Sequence, residues 1–423
     1  MIDVTLPATW SSKRLKYLAT YNDEVLPEST DEEAEIDYVE ISGVSLSRGI
    51  EQVERMPFGQ APSRARRKVR SGDILISTVR TYLRAIAKVD EASPDLIAST
   101  GFCVVRPDRQ EVDSGYLGWA AKSEPFVSEV VSRSVGVSYP AINASELATI
   151  EMPLPPLETQ RRIAQFLDEK TARIDGLIEK KRTLLDRLAE KRQALITRAV
   201  TKGLNPGAPM KPSGIDWLGD IPAHWEVHLV KRHFEVTYGV GGEIDRSLEE
   251  GTNLLSLPNI TKDGRLKLDD VPYTQSATDD LLLKKGDLIF NWRNGSTDHL
   301  GKTVRFDMDG IWTHVSFLLR LRARSLSIYS GFLRYFLNGL RETEFFAYAK
   351  AGVNNTFNLF ELKNLPVVSP PTGSEQKEIA LFLDEQTTAI DKTSDRIFDS
   401  ISHLEEYRAA LITAAVTGQL EVA

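Results

Sequence analysis

The sequence predicts an α+β protein in which two mixed α/β domains are separated by two long antiparallel, coiled-coil-like helices. Two observations support this pseudo-twofold internal repeat. The stretch Gln160–Leu204 returns without a gap at Gln376–Leu420, 216 residues further along the chain. The segment before each copy also carries a weaker set of matching residues. A repeat of this length indicates duplicated structural units.

The first mixed domain is predicted to occupy residues 1–156. Ser71–Val79 has the turn residues and β-branched residues of a turn followed by a strand. Leu96–Val105 contains a second predicted strand, and Ser114–Val131 is predicted to be helical. The prolines of Met152–Pro156 are expected to end this domain, because proline cannot continue a regular hydrogen-bonded element.

A long spacer helix is predicted over residues 157–204. Its apolar residues recur alternately four and three positions apart, the spacing that keeps one seam facing a partner helix. At about 1.5 Å per residue the helix spans roughly 60 Å, more than a small domain needs to cover itself. Polar residues interrupt the seam, so we expect further contacts from a partner. The predicted seam and partner-contact residues are Ile163, Phe166, Leu167, Ile174, Leu188, Leu195, Ile379, Phe382, Leu383, Ile390, Leu404 and Leu411.

The second half of the chain is predicted to follow the same plan. Residues 205–214 are a Pro/Gly linker, residues 215–371 a second mixed domain, and residues 372–423 a C-terminal spacer helix. An ordinary amphipathic helix on a globular core is the alternative interpretation of each long segment. That alternative fits less well, because Gly176 is the only glycine in the first segment before Gly203.

Landmarks of the first domain recur in the second. Gly72–Leu75 returns as Gly286–Ile289, and Ser114–Leu117 returns as Ser330–Leu333. The residues between these landmarks differ. Two domains that share these landmark residues but differ between them are expected to bind two different ligands. Dissimilar half-sites at a fixed spacing on DNA are one such pair.

Composition limits the class of protein. The formal net charge is −8, so the chain as a whole is not a basic nucleic-acid binder. Its single cysteine, Cys103, excludes an intramolecular disulfide and a cysteine-rich metal site. We expect a cytoplasmic protein, because the N-terminus lacks a signal pattern and no apolar run approaches membrane-spanning length.

The sequence contains no convincing catalytic motif. Gly295–Thr303 resembles a phosphate loop, but it has five residues between the glycines where the motif has four. Asp175, Glu179 and Lys181 have the residue types of a nuclease site, yet they follow one another on the predicted helix and indicate a solvated face. The histidines lack metal-ligand spacing. The sequence therefore predicts no catalytic residues and no metal site.

Local clusters of residues favour nucleic-acid contact more strongly. Arginine binds guanine and phosphate through two hydrogen bonds, and asparagine pairs with adenine. Arg80 and Arg293 each follow a Gly-Asp strand, which predicts equivalent positions at a DNA surface; for a single arginine, a solvated surface charge is the alternative. The predicted DNA-binding residues are Arg64, Arg66, Arg67, Lys68, Arg80, Tyr82, Arg84, Ser138 and Tyr139 in the first domain and Asn291, Trp292, Arg293, Asn294, Lys302, Asn354 and Asn355 in the second.

Taken together, these residues resemble the specificity subunits of type I restriction–modification systems, over essentially the whole chain. The motifs that carry the resemblance include Leu154–Leu157 leading into Gln160–Ala164, Phe166–Glu169, Ile174-Asp175, the second copy at Glu375–Ala380, Ser213–Gly219, Ile221-Pro222, His224-Trp225 and the Gly-Asp strand openings. Thr159 stands where the family often has Glu, a small departure.

The resemblance implies two target recognition domains, each reading one half of a split, asymmetric DNA sequence in the major groove. The helices would set the gap and help to dock two methyltransferase subunits, which bind S-adenosylmethionine and methylate a flipped-out adenine. Motor–nuclease subunits that use ATP and Mg²⁺ would complete the restriction enzyme. This chain would supply sequence choice without catalysis and without a cofactor of its own.

Two alternatives to this function remain open on the sequence. One is a freestanding DNA-binding or architectural protein, which tight specific binding by the purified chain alone would favour. The other is a nuclease or ATPase in its own right, which turnover by the isolated chain with Mg²⁺ would favour.

Overall fold

The computed structural model describes residues 6–242, 244–261, 264–294, 300–324, 327–341 and 355–422. The chain divides into two compact units. Unit 1 contains residues 1–182 and 398–423, and unit 2 contains residues 183–397. The division falls inside both long helices, so each unit combines one globular domain with part of each helix. No helix among the described residues has the length and apolarity to cross a bilayer.

The first half of the chain is a strand-rich domain followed by helices. Its elements are β1 (Ser11–Arg14), β2 (Ala19–Tyr21), β3 (Glu35–Val39), β4 (Val44–Ser45), β5 (Gly49–Ile50), β6 (Glu54–Pro57), β7 (Ala65–Lys68), β8 (Ile74–Ser77), β9 (Ile86–Lys88), β10 (Leu96–Ser99), β11 (Phe102–Pro107), α1 (Ser114–Lys122), α2 (Glu124–Ser132), α3 (Ala144–Leu147), β12 (Glu151–Leu154) and the first long helix α4 (Leu157–Lys202).

The second half has a similar order of elements. They are β13 (Met210–Pro212), β14 (Asp220–Pro222), β15 (Glu226–Leu229), α5 (Val230–His233), β16 (Phe234–Tyr238), β17 (Thr252–Leu255), β18 (Tyr273–Thr274), β19 (Leu288–Asn291), β20 (Arg293–Asn294), β21 (Thr303–Arg305), β22 (Trp312–His314), β23 (Leu318–Ala323), α6 (Ser330–Leu340), β24 (Asn355–Thr356), α7 (Leu359–Lys363), β25 (Pro366–Ser369) and the second long helix α8 (Gly373–Val416).

The sheets of the two units repeat each other, which confirms the predicted duplication of a mixed domain. An antiparallel sheet has the order β2-β11-β8-β9 in unit 1 and β16-β23-β19-β21 in unit 2. A second sheet contains one parallel pair in each unit, β3 with β10 and β17 with β22. The Gly-Asp landmarks open the equivalent strands β8 and β19, so the shared residues specify the shared sheet.

Two predicted elements of the first domain are each divided in the structure. Leu96–Val105, predicted as one strand, forms β10 and β11, which belong to different sheets. Ser114–Val131, predicted as one helix, forms α1 and α2, separated by Ser123 in an extended conformation. Pro125 explains the second break, because its missing N–H and its ring are compatible with the first turn of a helix but not with its interior.

Cys103 is the second residue of β11 and is fully buried. It pairs with Ile76 of β8, a strand whose four residues are all buried. Burial raises the pKa of the Cys103 thiol to about 12, because the thiolate cannot be hydrated there. The thiol therefore behaves as a small apolar group of the core.

Within unit 1 the two long helices run antiparallel. Arg408 of α8 pairs with Asp175 of α4, with 2.9 Å between Nε and Oδ1. One or two turns along, Arg182 of α4 pairs with Glu405 of α8 at 3.3 Å. Because the residue number rises in one helix as it falls in the other, the pairing confirms the predicted antiparallel arrangement.

Unit 2 contains the matching ion pair with the two helices exchanged. Arg192 of α4 lies 3.6 Å from Asp391 of α8, and these residues are the 216-residue counterparts of Arg408 and Asp175. The interrupted apolar seam is thus supplemented by charged contacts between the helices in each unit. Periodicity did not indicate these pairs, since neither arginine occupies a predicted seam position.

The predicted seam residues are covered to different degrees. Seven are buried, namely Ile163, Leu167, Ile174, Ile379, Leu383, Ile390 and Leu411. The remaining five are half-buried, namely Phe166, Leu188, Leu195, Phe382 and Leu404. Ile379 and Leu383 pack into the core of the unit 2 domain, together with Ile196 and Val200 of α4. Near the end of α4 Ile196 is buried, whereas the predicted Leu195 is only half-buried, as expected when a 3.6-residue helix departs from a 3.5-residue repeat.

Repeated polar residues attach each long helix to the domain that precedes it. The side-chain amide of Gln160 accepts a hydrogen bond from Asp113 N and donates one to Pro155 O, both at 2.8 Å. Its counterpart Gln376 accepts from Tyr329 N at 2.6 Å and donates to Pro370 O at 2.8 Å. Both glutamines are buried with their hydrogen-bonding groups satisfied, so this part of the repeated motif fixes the start of each helix.

Candidate nucleic-acid interface

The carboxyl end of β8 carries a short turn with unusual backbone geometry. Arg80 and Arg84 flank the 3-10 turn Thr81–Leu83, and both adopt left-handed conformations, with φ of 52° and 55°. The Arg80 amide donates to Pro140 O at 2.8 Å. Non-glycine residues adopt this conformation at a cost, which is commonly found at functional loops.

The segment 134–141 forms a loop beside this turn. Val135 and Ala141 exchange two backbone hydrogen bonds of 2.9 and 3.0 Å, which closes the loop at its base. Thr81 Oγ1 lies 2.7 Å from Ser134 Oγ and joins the turn to the loop. We call residues 80–84 and 134–141 together the strand-end surface. It unites five of the predicted DNA-binding positions, Arg80, Tyr82, Arg84, Ser138 and Tyr139, all of them exposed.

Arg80 and Tyr139 form the most prominent polar feature of the strand-end surface. The guanidinium carbon of Arg80 lies 4.7 Å from the centroid of the Tyr139 ring. Among the described residues no carboxylate pairs with Arg80. A stacked guanidinium keeps its hydrogen-bond donors available at the plane's edge, so Arg80 is prepared to bind a phosphate or a guanine.

Arg84, also predicted to contact DNA, is held by a carboxylate. Its guanidinium donates to both Glu124 oxygens, at 2.7 and 3.0 Å, and so ties the turn to the start of α2. The paired charge is largely neutralised. Arg84 therefore supports the strand-end surface, and its partner, forty residues away in sequence, could not be predicted from local pattern.

The predicted DNA-binding cations before β8 lie along β7, and they are spread over the length of that strand. Arg64 is near the strand-end surface, because Thr100 N donates to Arg64 O and Thr78 N donates to Gly101 O, both at 2.8 Å. Its guanidinium pairs with Glu40. Arg66 stacks on Phe58 at 4.6 Å, and Arg67 is half-buried.

Lys68 is exposed but belongs to the other end of β7, where its amide donates to Glu24 O. Four residues of strand separate it from Arg64, roughly 13 Å. The four predicted cations of this run are therefore not one basic patch, and Arg64 is the member nearest to Arg80.

Two residues predicted to contact DNA in the second domain are interior, which corrects the prediction. Asn291 is 1% exposed, in the last position of β19, and Lys302 is 6% exposed. The Lys302 ammonium donates to Ile260 O at 3.3 Å. Polar residues next to a strand look like surface residues in sequence, but both of these side chains are buried, and Lys302 satisfies a buried backbone carbonyl.

The other predicted residues of the second domain lie around β20. Trp292 is half-buried and donates from Nε1 to Ser316 O at 2.7 Å. Arg293 is half-buried, with its guanidinium 5.6 Å from the centroid of the Phe317 ring. Asn294 and Asn355 pair through their backbones as β20 and β24, and Asn354 lies outside the described residues.

Arg80 and Arg293 are not equivalent in position, contrary to the prediction. Ile142 N donates to Thr78 O in unit 1, and Phe357 N donates to Trp292 O in unit 2, at 2.9 and 2.8 Å. Thr78 therefore matches Trp292, so Arg80 matches the residue after Arg293. Arg293 belongs to the extended strand β20, whereas Arg80 has a left-handed backbone, so the two arginines also differ in local conformation.

Comparisons with known proteins agree with this architecture. Residues 7–187 match the family described as "Type I restriction modification DNA specificity domain". The chain is 24% identical over 331 residues to the type I restriction enzyme StySPI specificity subunit of Salmonella potsdam, covering 75% of this chain and 68% of that one. It is 26% identical over 211 residues to the putative type I restriction enzyme MjaX specificity subunit of Methanocaldococcus jannaschii, covering about half of each, 48% and 47%.

Two solved structures are similar over nearly the whole fold. One is a chain from a study of complex assembly and conformational transition of the type I R-M system, with a TM-score of 0.79 and 22% identity over 98% of this chain and 100% of that one. The other is the HsdS subunit of Thermoanaerobacter tengcongensis, with a TM-score of 0.55 and 23% identity over 99% of both chains. At these identities the likeness concerns the fold.

Proposed function

The chain belongs to the DNA specificity subunits of type I restriction–modification systems, and on that premise we propose how it divides the work of recognition. Each globular domain reads one half of a split, asymmetric DNA target in the major groove. The partner subunits then carry out adenine methylation or restriction at that target. The chain itself supplies sequence choice and no catalytic step.

One observation carries this proposal: the two domains share a frame but differ at the strand ends. Strands β8 and β19 occupy the same place in equivalent sheets. In unit 1 the residues that follow form a turn flanked by Arg80 and Arg84, whereas in unit 2 they form the short strand β20. A common scaffold with different loops is the arrangement in which specificity varies while the fold is kept.

The partners are part of the proposal. Two methyltransferase subunits would dock along the paired helices, with S-adenosylmethionine bound on those subunits. Motor–nuclease subunits would supply the ATP- and Mg²⁺-dependent steps, and the complex would work in the cytoplasm. Partner contributions would also account for the chain's formal charge of −8, since much of the phosphate binding could then come from other subunits.

The decisive experiment is to co-express the chain with its methyltransferase subunit and to map methylated adenines across the host genome. We expect a motif of two unlike halves separated by unspecified base pairs. A continuous or palindromic motif would contradict two-domain reading. Failure of the two proteins to co-purify would contradict the proposed partnership.

A single substitution links the motif to the strand-end surface. Arg80→Ala should relax one half of the motif and weaken binding by about 1–3 kcal/mol if the contact is to a base edge. Arg55→Ala, an exposed arginine of β6, is the matched control and should leave both halves unchanged. If the two variants changed DNA binding equally, the proposed role of Arg80 in recognition would be contradicted.

A further inference from the structure

Five apolar side chains are exposed on the strand-end surface of unit 1. They are Tyr82, Leu83, Val135, Val137 and Tyr139. Val137 is fully exposed at the tip of the 134–141 loop, so its side chain is not packed against the domain. Single exposed apolar residues are ordinary, but a group of five around one turn and one loop indicates a surface that is covered in the functional complex.

The loop that presents Val137 is held firmly. Val135 and Ala141 close its base with their reciprocal backbone hydrogen bonds, and Ser134 Oγ donates to Val130 O at 2.8 Å. Gly136 turns the chain with φ of +118°, a conformation that favours glycine. Because the tip is fixed before binding, little conformational entropy is lost when it meets a ligand.

The shape of the loop suits a DNA groove. Its base is an isolated antiparallel bridge between Val135 and Ala141, so the two arms of the loop lie side by side. The major groove of B-DNA, about 12 Å wide, admits a projection of two paired chain segments. Arg80 stands beside the loop without a carboxylate partner among the described residues. The ligand of this surface should match both an apolar loop tip and the charge of Arg80. A polyanion that also presents apolar groups fits both features better than an apolar protein surface does.

We infer that Val137 contacts the 5-methyl group of a thymine in the half-site read by the first domain. The inference rests on the proposed function and adds to it a named specificity-determining residue. Valine has no hydrogen-bonding group, and the thymine methyl is the one apolar group that unmodified bases present in the major groove. Tyr139 and Arg80 flank Val137 and hold the loop against the neighbouring backbone or base.

The test uses the chain in complex with its methyltransferase subunit and duplexes carrying the methylated motif. Each thymine is replaced in turn by deoxyuridine, which removes one methyl group and leaves base pairing intact. At one position we expect wild-type affinity to fall roughly fourfold, the effect of one buried methyl group. In Val137→Ala the same replacement should have little further effect, because the two partners of one contact are coupled.

Two further variants guard against indirect effects. Val135→Ala removes the same side chain from the base of the loop and should keep the wild-type response to deoxyuridine. Val137→Thr keeps the shape of the side chain but adds a hydroxyl group, and it should bind the thymine target more weakly than wild type while the other half-site is read normally.

Three results would overturn the inference. The first is a first-domain half-site that contains no thymine. The second is a deoxyuridine penalty of the same size in wild type and Val137→Ala at every position. The third is a rise in 2-aminopurine fluorescence that depends on Val137, since this would indicate a wedge between base pairs. In each case a split methylated motif would still support the proposed function, so the two proposals can fail separately.

Discussion

The guanidinium of Arg106 donates two hydrogen bonds to the carboxylate of Asp73, with lengths of 3.0 and 2.8 Å. Asp287 accepts the same pair of bonds from Arg322 in unit 2, at 2.9 and 2.6 Å. Both aspartates are buried and also accept a backbone N–H three residues before them. Hydrogen bonding to the buried carboxylate, which outweighs the effect of burial, raises the pKa of both arginines. Each fork joins the start of a Gly-Asp strand to its neighbour in the sheet, β8 to β11 in unit 1 and β19 to β23 in unit 2.

Removing one member of such a fork should therefore destabilise the sheet. We expect Asp287→Ala to cost about 2–4 kcal/mol, less than a fully buried pair because Arg322 keeps 22% of its side chain exposed. Asp307→Ala breaks a more exposed pair with Arg305 and should cost under about 1 kcal/mol. Hydrogen exchange of peptides from β19 and β23 measures the difference. Similar protection in the two variants would refute the structural role of the fork.

The ion pair between the long helices in unit 1 should make a measurable contribution. Arg408 is 9% exposed and also donates to Ser47 O, whereas Asp175 is 42% exposed. A double-mutant cycle with Asp175→Ala and Arg408→Ala should give a coupling of about 1 kcal/mol, with Arg408→Ala the costlier single change. The cycle for Glu169 and Arg173, an exposed pair on α4, should give about 0.3–0.5 kcal/mol. Urea unfolding provides both values, and equal couplings would argue against a special role.

Three glycines of the long-helix segments should respond differently to alanine. Gly176 has no atom within 4 Å of an added Cβ, so Gly176→Ala should stabilise the helix by about 0.5–1 kcal/mol. Gly203 and Gly418 end their helices with φ of +73°. An added Cβ would lie 3.3 Å from Trp225 at Gly203 and 2.5 Å from Pro7 at Gly418. Both substitutions should destabilise by about 1–3 kcal/mol, more at Gly418. Thermal unfolding that ranks the three otherwise would contradict these packing contacts.

His314 should make unit 2 sensitive to acid. It is fully buried in β22, and burial, reinforced by Arg320, lowers its pKa to about 3 from an ordinary 6.5. A depressed pKa contributes stability above the unfolded pKa of about 6.5 and loses it as the pH falls towards 3. Between pH 7.5 and 5 the loss should be about 2 kcal/mol.

His314→Gln removes this titration and should flatten the pH dependence of unfolding over that range. The matched control is His403→Gln, which replaces an exposed histidine of α8 and should retain the wild-type slope. Unfolding curves recorded at several pH values compare the three proteins. Parallel slopes for wild type and His314→Gln would mean that His314 does not govern the acid response.

Features that repeat along the sequence were predictable, and features that depend on distant partners were not. The repeated stretches that begin at Gln160 and Gln376 indicated two long helices, and the structure confirms both. The Gly-Asp landmarks indicated the strands, but Arg106 lies 33 residues from Asp73, so the fork could not be inferred from local pattern.

The incorrect predictions have physical causes as well. The burial of Lys302 depends on the Ile260 carbonyl that its ammonium satisfies, and Asn291 is the last residue of a strand that is buried throughout. Gly72 and Gly286 are 214 residues apart, which aligns Arg80 with Asn294, whereas Arg80 and Arg293 are 213 residues apart. The predicted equivalence was therefore one residue out of register with the Gly-Asp landmarks.

The burial of Cys103 in β11 has a practical consequence. A thiol that is fully buried, with a pKa of about 12, will react only slowly with maleimide at neutral pH. A cysteine introduced at an exposed position such as Ser138 would then take up a fluorophore selectively, without replacement of the native residue. Engagement of one half of a target could be followed by that dye in real time, separately from engagement of the other half.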